Sequence, residues 1–235
     1  MKFKGTKLSK RTVALFAAAI LLLSSGGFMG VKAAPAITGN DHEADFGLDA
    51  ISVQLLENGE EVGSDGLLTG IGTAKPGMTY SENISVKNNG SAPEFVRLVV
   101  RKYWTKSGQT VKDTELTPAL IELGLSDGWK ENESEATAEM SVYYCTSSLA
   151  AESTSQAIET VRVDGTVLTS KDNITVSEKP SGNKTVFIYT YKYDGYAFNI
   201  EAEAQAVQTH NANDAIKSIW GVDNVTASGS SLSVK

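Results

Sequence analysis

The residues of this chain that could perform acid–base, nucleophilic or metal chemistry are few and lie far apart. The chain contains two histidines, His42 and His210, which lie far apart, and one cysteine, Cys145. The spaced patterns of zinc proteases, serine hydrolases and phosphate-binding loops do not occur in it. The sequence therefore predicts no catalytic residues and no cofactor, and it indicates a protein that is not an enzyme.

Two groups of carboxylates have to be weighed as sites. Within Asp41–Asp45 three acidic residues accompany His42, but the defined ligand spacing of a metal centre is missing. We expect a solvated acidic segment there and no metal site. Glu201 and Glu203 are two residues apart on a strand, about 7 Å by strand rise. A glycosidase places its acid pair in a cleft, whereas we expect these two on a solvent-exposed face.

Other side chains have both a functional and a structural interpretation. Trp104, Trp129 and nearby tyrosines could form a sugar-binding platform, but such aromatic residues are more often core or cross-strand pairs. Cys145 follows the strand-like stretch Val142–Tyr144, so we expect a half-buried strand residue. Its alternative role is an intermolecular disulfide.

The elements that would position these residues are mostly strands. From Tyr196 to Gln205 apolar and polar residues alternate, which predicts a long strand with one buried face. Asp194-Gly195 separates this strand from the alternating run Val186–Tyr191, so we predict a hairpin between the two. After His210 apolar residues recur at helical spacing, which predicts a short helix that stops at Gly221.

The preceding part of the chain shows a similar pattern. Glu94–Trp104 is apolar on both parities, as in a strand that is covered on both faces or wraps around an edge of the core. Thr117-Pro118 predicts a short helix over Ala119–Leu123. A further short strand is predicted over Val167–Val176 and a turn over Lys179–Lys184. The prediction is an all-β protein: an antiparallel two-sheet sandwich, of jelly-roll or immunoglobulin-like kind, with one or two short helical inserts.

The N-terminus has the pattern of an export signal. Basic residues precede the apolar run Val13–Leu23, and small residues flank Lys32, which predicts a signal peptide over 1–33. Its removal takes six of 21 basic residues and leaves 15 against 28 acidic ones, a net charge of −13. We therefore expect a secreted protein that binds neither nucleic acid nor, after cleavage, a membrane. The remaining predicted regions are a flexible segment at 34–47, the sandwich domain at 48–222, and a Ser/Gly-rich tail at 223–235.

Several longer stretches resemble a known family. They are KPGMTYSENISVKNNGSAPEFVRLVVRKYW (Lys75–Trp104), the segments TPALIEL, WKENES and SVYYCTSSL, and the ending EAEAQAVQTHNANDAIKSIWGV. These resemble the TasA/camelysin-like family of exported biofilm-matrix proteins of Gram-positive bacteria. The resemblance covers roughly Leu48 to Val222. It implies a jelly-roll domain that assembles into matrix fibres, with the N-terminal segment of one subunit pairing as a strand with the next. The likeness to camelysin would also imply a metalloprotease, for which the sequence has no zinc motif.

Three functions follow from these features. The first is a structural protein of the extracellular or biofilm matrix that forms fibres by strand addition at an open sheet edge. Self-association is then the main partnership, beside other matrix or cell-surface components, and Ile37 and Phe46 are the predicted subunit contacts. The second is a surface adhesin or a glycan- or protein-binding module that uses loops at one end of the sandwich. The third is a camelysin-like metalloprotease.

Overall fold

The computed structural model describes residues 51–63, 66–68, 71 and 74–235. The predicted signal peptide (1–33), the predicted flexible segment (34–47) and the predicted contacts Ile37 and Phe46 lie outside the described residues. What the sequence predicts for them stays a prediction. The described strands, in chain order, are β1 (Val53–Glu57), β2 (Glu60–Glu61), β3 (Thr79–Asn88), β4 (Glu94–Lys106), β5 (Lys112–Asp113), β6 (Ile121–Leu125), β7 (Trp129–Glu131), β8 (Met140–Cys145), β9 (Thr154–Val163), β10 (Ile174–Ser181), β11 (Lys184–Tyr191), β12 (Tyr196–Gln208), β13 (Val225–Ser228) and β14 (Ser231–Val234).

Ten of these strands form two antiparallel sheets that face each other. The first sheet has the order β2-β1-β3-β9-β6, and the second has the order β12-β4-β8-β7, with β5 also paired to β4. A main core of buried side chains fills the space between them, with Ile84 and Ile158 from the first sheet and Leu98 and Val100 from the second. The fold is therefore the predicted all-β antiparallel two-sheet sandwich.

Strand β4 is the centre of the second sheet and is buried on both faces. Val96, Leu98 and Val100 point into the main core, whereas Phe95 and Val99 point to the opposite side into a second cluster of buried residues. Side chains alternate between the two faces of a strand, so a strand with apolar residues on both parities needs cover on both sides. The prediction of a doubly covered strand over Glu94–Trp104 is confirmed.

The second cover comes from the C-terminus. Ala212–Ala215 forms one helical turn that continues as π-helix through Ile216–Trp220, and Gly221 ends it with φ 71°. The last residues then form the β13–β14 hairpin, which buries Val225, Leu232 and Val234 in the same cluster. The predicted helix and its stop at Gly221 are confirmed. The residues predicted as a tail, 223–235, contain an ordered hairpin instead, because their few apolar residues alternate and cover the outer face of the second sheet.

Two local predictions differ from the structure, one in strand pairing and one in the extent of a helix. Strand β11 pairs with β10, and β12 pairs with β4, so Asp194-Gly195 does not join a hairpin. Alternation reveals a strand but does not name its partner. The Thr117 cap is present and its hydroxyl accepts from the Ala119 N–H, but the helix is a single 3-10 turn over Pro118–Leu120 that leads into β6.

The region before β10 is also more helical than predicted. Thr166–Thr169 forms a helical turn and Lys171–Asn173 a 3-10 turn, so the strand predicted over Val167–Val176 begins only at Ile174. Strand β10 then runs through Pro180 to Ser181, and the predicted turn over Lys179–Lys184 shrinks to two residues, with φ 62° at Gly182. A two-residue hairpin loop needs such positive φ.

The two tryptophans with a predicted alternative role are core residues. Trp104 and Trp129 are only 4% and 7% exposed. The Trp104 indole N–H donates to the Thr117 carbonyl at 3.0 Å, and that of Trp129 donates to Ser155 Oγ at 2.9 Å. Neither indole ring is therefore exposed as a surface platform on which a sugar could stack. Cys145 is more buried than predicted, with 6% exposure, and its Sγ lies 4.0 Å from Ser155 Oγ.

One carboxyl group lies fully inside the fold at the first residue of β4. Glu94 is 1% exposed, and its Oε1 accepts a hydrogen bond of 2.9 Å from the Ser52 N–H, where the described chain enters the sandwich. Its other oxygen, Oε2, has no hydrogen-bond partner among the described residues. Burial raises the pKa of the Glu94 carboxyl to about 7, against the smaller opposite effect of the Ser52 hydrogen bond.

Candidate interaction site

The sandwich has a long pairing surface at the free edge of β12. This strand is 13 residues long and pairs along its full length with β4. On its other side no strand pairs with it in the part of the chain that the structure describes. An unpaired edge presents a row of backbone N–H and C=O groups that can accept another strand. At 13 residues β12 is far longer than the short edge strands with which proteins usually limit such pairing.

The direction of the free backbone groups follows from the hydrogen bonds around β12. The Ser107 N–H donates to the Gly195 carbonyl at 2.8 Å, which continues the register of β4 with β12. Antiparallel partners exchange hydrogen bonds at every second pair. The odd-numbered residues of β12 therefore bond to β4, and the N–H and C=O groups of Tyr196, Phe198, Ile200, Ala202, Ala204 and Ala206 face the free edge.

The side chains of these same residues line an incompletely covered part of the main core. Ile200 is buried, whereas the other five are half-buried and pack against the core from one side. Across the core, Val53 and Leu55 of β1 are also only partly buried, and β1 contacts β12. A strand added at the β12 edge would extend the second sheet and cover this half-open margin.

The outer face of β12 is acidic, as the sequence predicts. Glu201 and Glu203 are both exposed. The Tyr103 hydroxyl donates to Glu201 Oε1 at 2.7 Å, and this hydrogen bond to the carboxylate raises the pKa of Tyr103. Glu203 accepts from the Gln205 amide at 2.8 Å and lies 3.9 Å from the Arg101 guanidinium. These contacts hold both carboxylates in place on the solvent side of the strand.

A second unusual surface is the hairpin of β10 and β11, which forms a two-stranded sheet of its own. Cross-strand pairing places Ile174 opposite Tyr191, Val176 opposite Tyr189, and Glu178 opposite Phe187. Residues that pair directly lie on the same face, so one face of the hairpin is largely apolar and aromatic. Two-stranded hairpins are only marginally stable alone. The aromatic face of this hairpin is exposed to solvent.

The exposure of this face is large for apolar side chains. Phe187 is 53% and Tyr189 is 59% exposed, and Val176 is 51% exposed. Exposed apolar patches of this kind mark interaction sites in soluble proteins. The opposite face carries Lys184, Val186, Ile188 and Thr190 and is more polar.

A pocket of about 400 Å³ lies where the hairpin joins the sandwich. Tyr191, Tyr193, Tyr196 and Phe198 line it together with Leu168. Trp104 closes its floor and stacks edge-on against Tyr193 and Phe198, with ring centroids 5.0 Å and 6.2 Å away. The pocket lies between the C-terminal end of β11 and the first residues of β12.

The remaining chemistry-bearing residues do not gather around this surface. His210 is exposed in the turn before the C-terminal helix, and Cys145 is buried in the core. The group Asp41–Asp45 lies outside the described residues. Among the residues that the structure describes, no three or more His, Cys, Asp or Glu side chains are placed to hold a metal ion. No helix within that same part is long and apolar enough to cross a membrane.

The class of protein that this geometry defines is a β-sandwich with a long unpaired edge strand and an exposed apolar hairpin. A comparison with models of known protein families finds no match to the chain, and neither does a search of curated proteins.

Sequence reasoning missed the hairpin as an interaction surface. The run Val186–Tyr191, which we interpret above as alternating, has apolar residues on both parities. Such a run can be a strand covered on both sides or one with an open apolar face. The hairpin predicted at Asp194-Gly195 would put this run beside β12, whereas it pairs with β10. The signal that could have indicated a hairpin of β10 and β11 is Gly182, which has positive φ in the two-residue loop between them.

Proposed function

We propose that this protein is a secreted structural protein of the extracellular or biofilm matrix, and that it assembles by addition of a β-strand at the free edge of β12. The observation that carries the proposal is this edge, 13 residues long and without proline or lysine. Natural sheets protect their edges with such residues. An edge of this length that lacks them is suited to accept a strand from another chain.

The sequence features of the N-terminus support an extracellular location. A basic stretch, an apolar run and small residues before position 34 have the order of a secretory signal. The resulting charge of −13 favours solubility and disfavours nucleic acid as a partner. Other matrix or cell-surface components are proposed as secondary partners.

The resemblance to the TasA/camelysin-like family suggests one strand donor. The segment 34–47 contains 14 residues, which in extended form span about 45 Å, close to the length of β12. Ile37 and Phe46 are the largest apolar residues of this segment. In this scheme they are the subunit contacts. A donor that comes from the N-terminus of the next subunit gives a head-to-tail contact, which produces either a ring or an open fibre.

Electron microscopy of purified residues 34–235 tests the proposal, beside a protein that starts at Leu48. Both contain every described core residue. We expect fibres or closed rings from the longer protein. Loss of assembly in the shorter protein would identify 34–47 as the donor, and globular monomers from both, at all salt and pH conditions, would contradict the proposed function.

A second candidate function has one supporting observation, the aromatic pocket at the root of the hairpin. Stacked aromatic rings and Asp194 in a pocket of about 400 Å³ suit a small glycan or an aromatic side chain of a host protein. In this case the protein is a surface adhesin or binding module. Binding on a glycan array by a protein that stays monomeric would favour this function over the first.

A further inference from the structure

The two unusual surfaces of this protein fit each other. We propose that β11 of a second copy pairs antiparallel with the free edge of β12, so that the exposed hairpin is the strand donor. This inference rests on the proposed function, since it names the partner of the same edge. It differs from that proposal in assigning the donor to residues 184–191 instead of the N-terminal segment.

Of the two outer edges of the hairpin, that of β11 is the better suited to pairing. The Lys192 N–H donates to the Asn173 carbonyl at 2.8 Å, in register with the β10–β11 ladder. The even-numbered residues of β11 and the odd-numbered residues of β10 therefore bond to each other. Even-numbered residues of β10, Pro180 among them, face outward, and proline has no N–H to donate. On β11 the outward residues are Thr185, Phe187, Tyr189 and Tyr191, all of which retain their N–H.

Hydrogen-bond parity then fixes which faces meet. In antiparallel pairing, residues that exchange hydrogen bonds lie directly opposite and share a face. The outward residues of β11 are odd-numbered and carry the aromatic face, and those of β12 are even-numbered and carry the half-open core margin. The aromatic face of the hairpin is thereby placed on the apolar side of β12. In parallel pairing the faces would be exchanged, with Lys184 on the core side.

The opposite faces are complementary in charge. The polar face of β11 contains Lys184 and is followed by Lys192, and the outer face of β12 contains Glu201 and Glu203. Over residues 171–192 four lysines accompany two acidic residues, within a mature chain of net charge −13. The hairpin is thus a locally cationic segment of an acidic protein, and a second copy offers it an acidic surface.

One register satisfies both faces together. With Lys184 opposite Glu203, the other pairs are Thr185 with Ala202, Phe187 with Ile200, Tyr189 with Phe198, and Tyr191 with Tyr196. Aromatic and β-branched cross-strand pairs of this kind are the ones that stabilise sheets most. In the same register Ile188 lies opposite Asn199 on the outer face.

The test compares two lysine substitutions on neighbouring residues of β11. Tyr189→Lys places a charge on the apolar side of the contact, where an unpaired charge is costly. Thr190→Lys introduces the same charge on the outer face of the contact, which is the face that also carries Glu201. Both side chains are exposed and outside the two cores, so folding of the sandwich is not at risk. We expect Tyr189→Lys to raise the concentration needed for assembly at least about tenfold, equivalent to about 1.4 kcal/mol, and Thr190→Lys to assemble like the wild type.

Cysteine cross-linking tests the register. We expect Ile188→Cys and Asn199→Cys, mixed as two separate proteins, to form a disulfide-linked dimer, because directly opposite strand residues are within disulfide distance. Pairing Ile188→Cys with Glu203→Cys is the mismatched control, and native Cys145 is buried. If wild type and Tyr189→Lys assemble equally and only removal of 34–47 prevents assembly, this inference is wrong and the proposed function stands. If the wild type never assembles, both are wrong.

Discussion

Replacement of Ala204 by proline is expected to abolish assembly while leaving the sandwich folded. The Ala204 N–H faces the free edge of β12 and takes no part in the ladder with β4, so its loss removes no hydrogen bond of the monomer. Proline is tolerated in an edge strand at such positions. A strand that pairs along the whole of β12, however, would lose one hydrogen bond in the middle of the contact. β11 in the register given above, whose contact ends at Glu203, would meet the proline ring beside its terminal Lys184–Glu203 pair. We expect no fibres or oligomers by sedimentation velocity and electron microscopy.

Two further variants keep this result interpretable. Ala204→Ser retains the N–H and a small side chain, and it should assemble like the wild type. Ala202→Lys leaves the backbone unchanged but points a charge into the half-open margin of the core. Natural edge strands use such inward-pointing charges against unwanted pairing. This variant should therefore also stay monomeric. Assembly of a folded Ala204→Pro protein at wild-type concentrations would place the contact elsewhere on the molecule.

The second large effect concerns the buried carboxyl of Glu94. Its pKa in the folded protein is about 7, against an ordinary value of 4.5. Between these values the folded state binds more protons than the unfolded state, so the free energy of unfolding falls as pH rises. The full difference is on the order of 3 kcal/mol, since one pKa unit corresponds to about 1.4 kcal/mol. Glu94 should stabilise the folded state fully below about pH 4.5, and this stabilisation should be lost above about pH 7.

Urea unfolding at pH 5, 6, 7 and 8 measures this dependence. The Ala204→Pro background separates unfolding from assembly. Glu94→Gln keeps an acceptor for the Ser52 N–H but does not titrate, so we expect a flatter pH profile and higher stability at pH 8 than in the parent. Glu159→Gln is the control, because Glu159 is exposed on β9 and its replacement should leave the slope unchanged. Equal slopes in parent and Glu94→Gln would show that the carboxyl is not desolvated as described.

The sequence predicts the class of fold well because a sandwich depends on alternation within each strand. The long strand at Tyr196, the doubly apolar strand at Phe95 and the helical stop at Gly221 are all visible as local patterns. Strand partners are not visible, because β4 and β12 pair across about a hundred residues and only the complete packing of both sheets selects that pairing.

The candidate interaction surface was harder to predict than the fold for the same reason. Glu201 and Glu203 were correctly placed on an outer face, since parity alone decides that. The free edge of β12 depends on which strands are left over after pairing, and the exposed Phe187 and Tyr189 depend on β11 leaving the sandwich. No periodicity distinguishes a strand buried on both faces from one whose apolar face is open to solvent.

Amide hydrogen exchange along β12 tests the central claim most directly. In the dilute monomer the odd-numbered amides from Ala197 to Val207 are bonded to β4 and should exchange slowly, whereas the even-numbered amides from Tyr196 to Ala206 should exchange fast. In assembled protein, exchanged and then dissociated for measurement, we expect the even-numbered amides from Tyr196 to Ala202, which either donor strand would cover, to become protected as well. If assembled protein shows unchanged fast exchange at these even-numbered amides, strand addition at the β12 edge is contradicted.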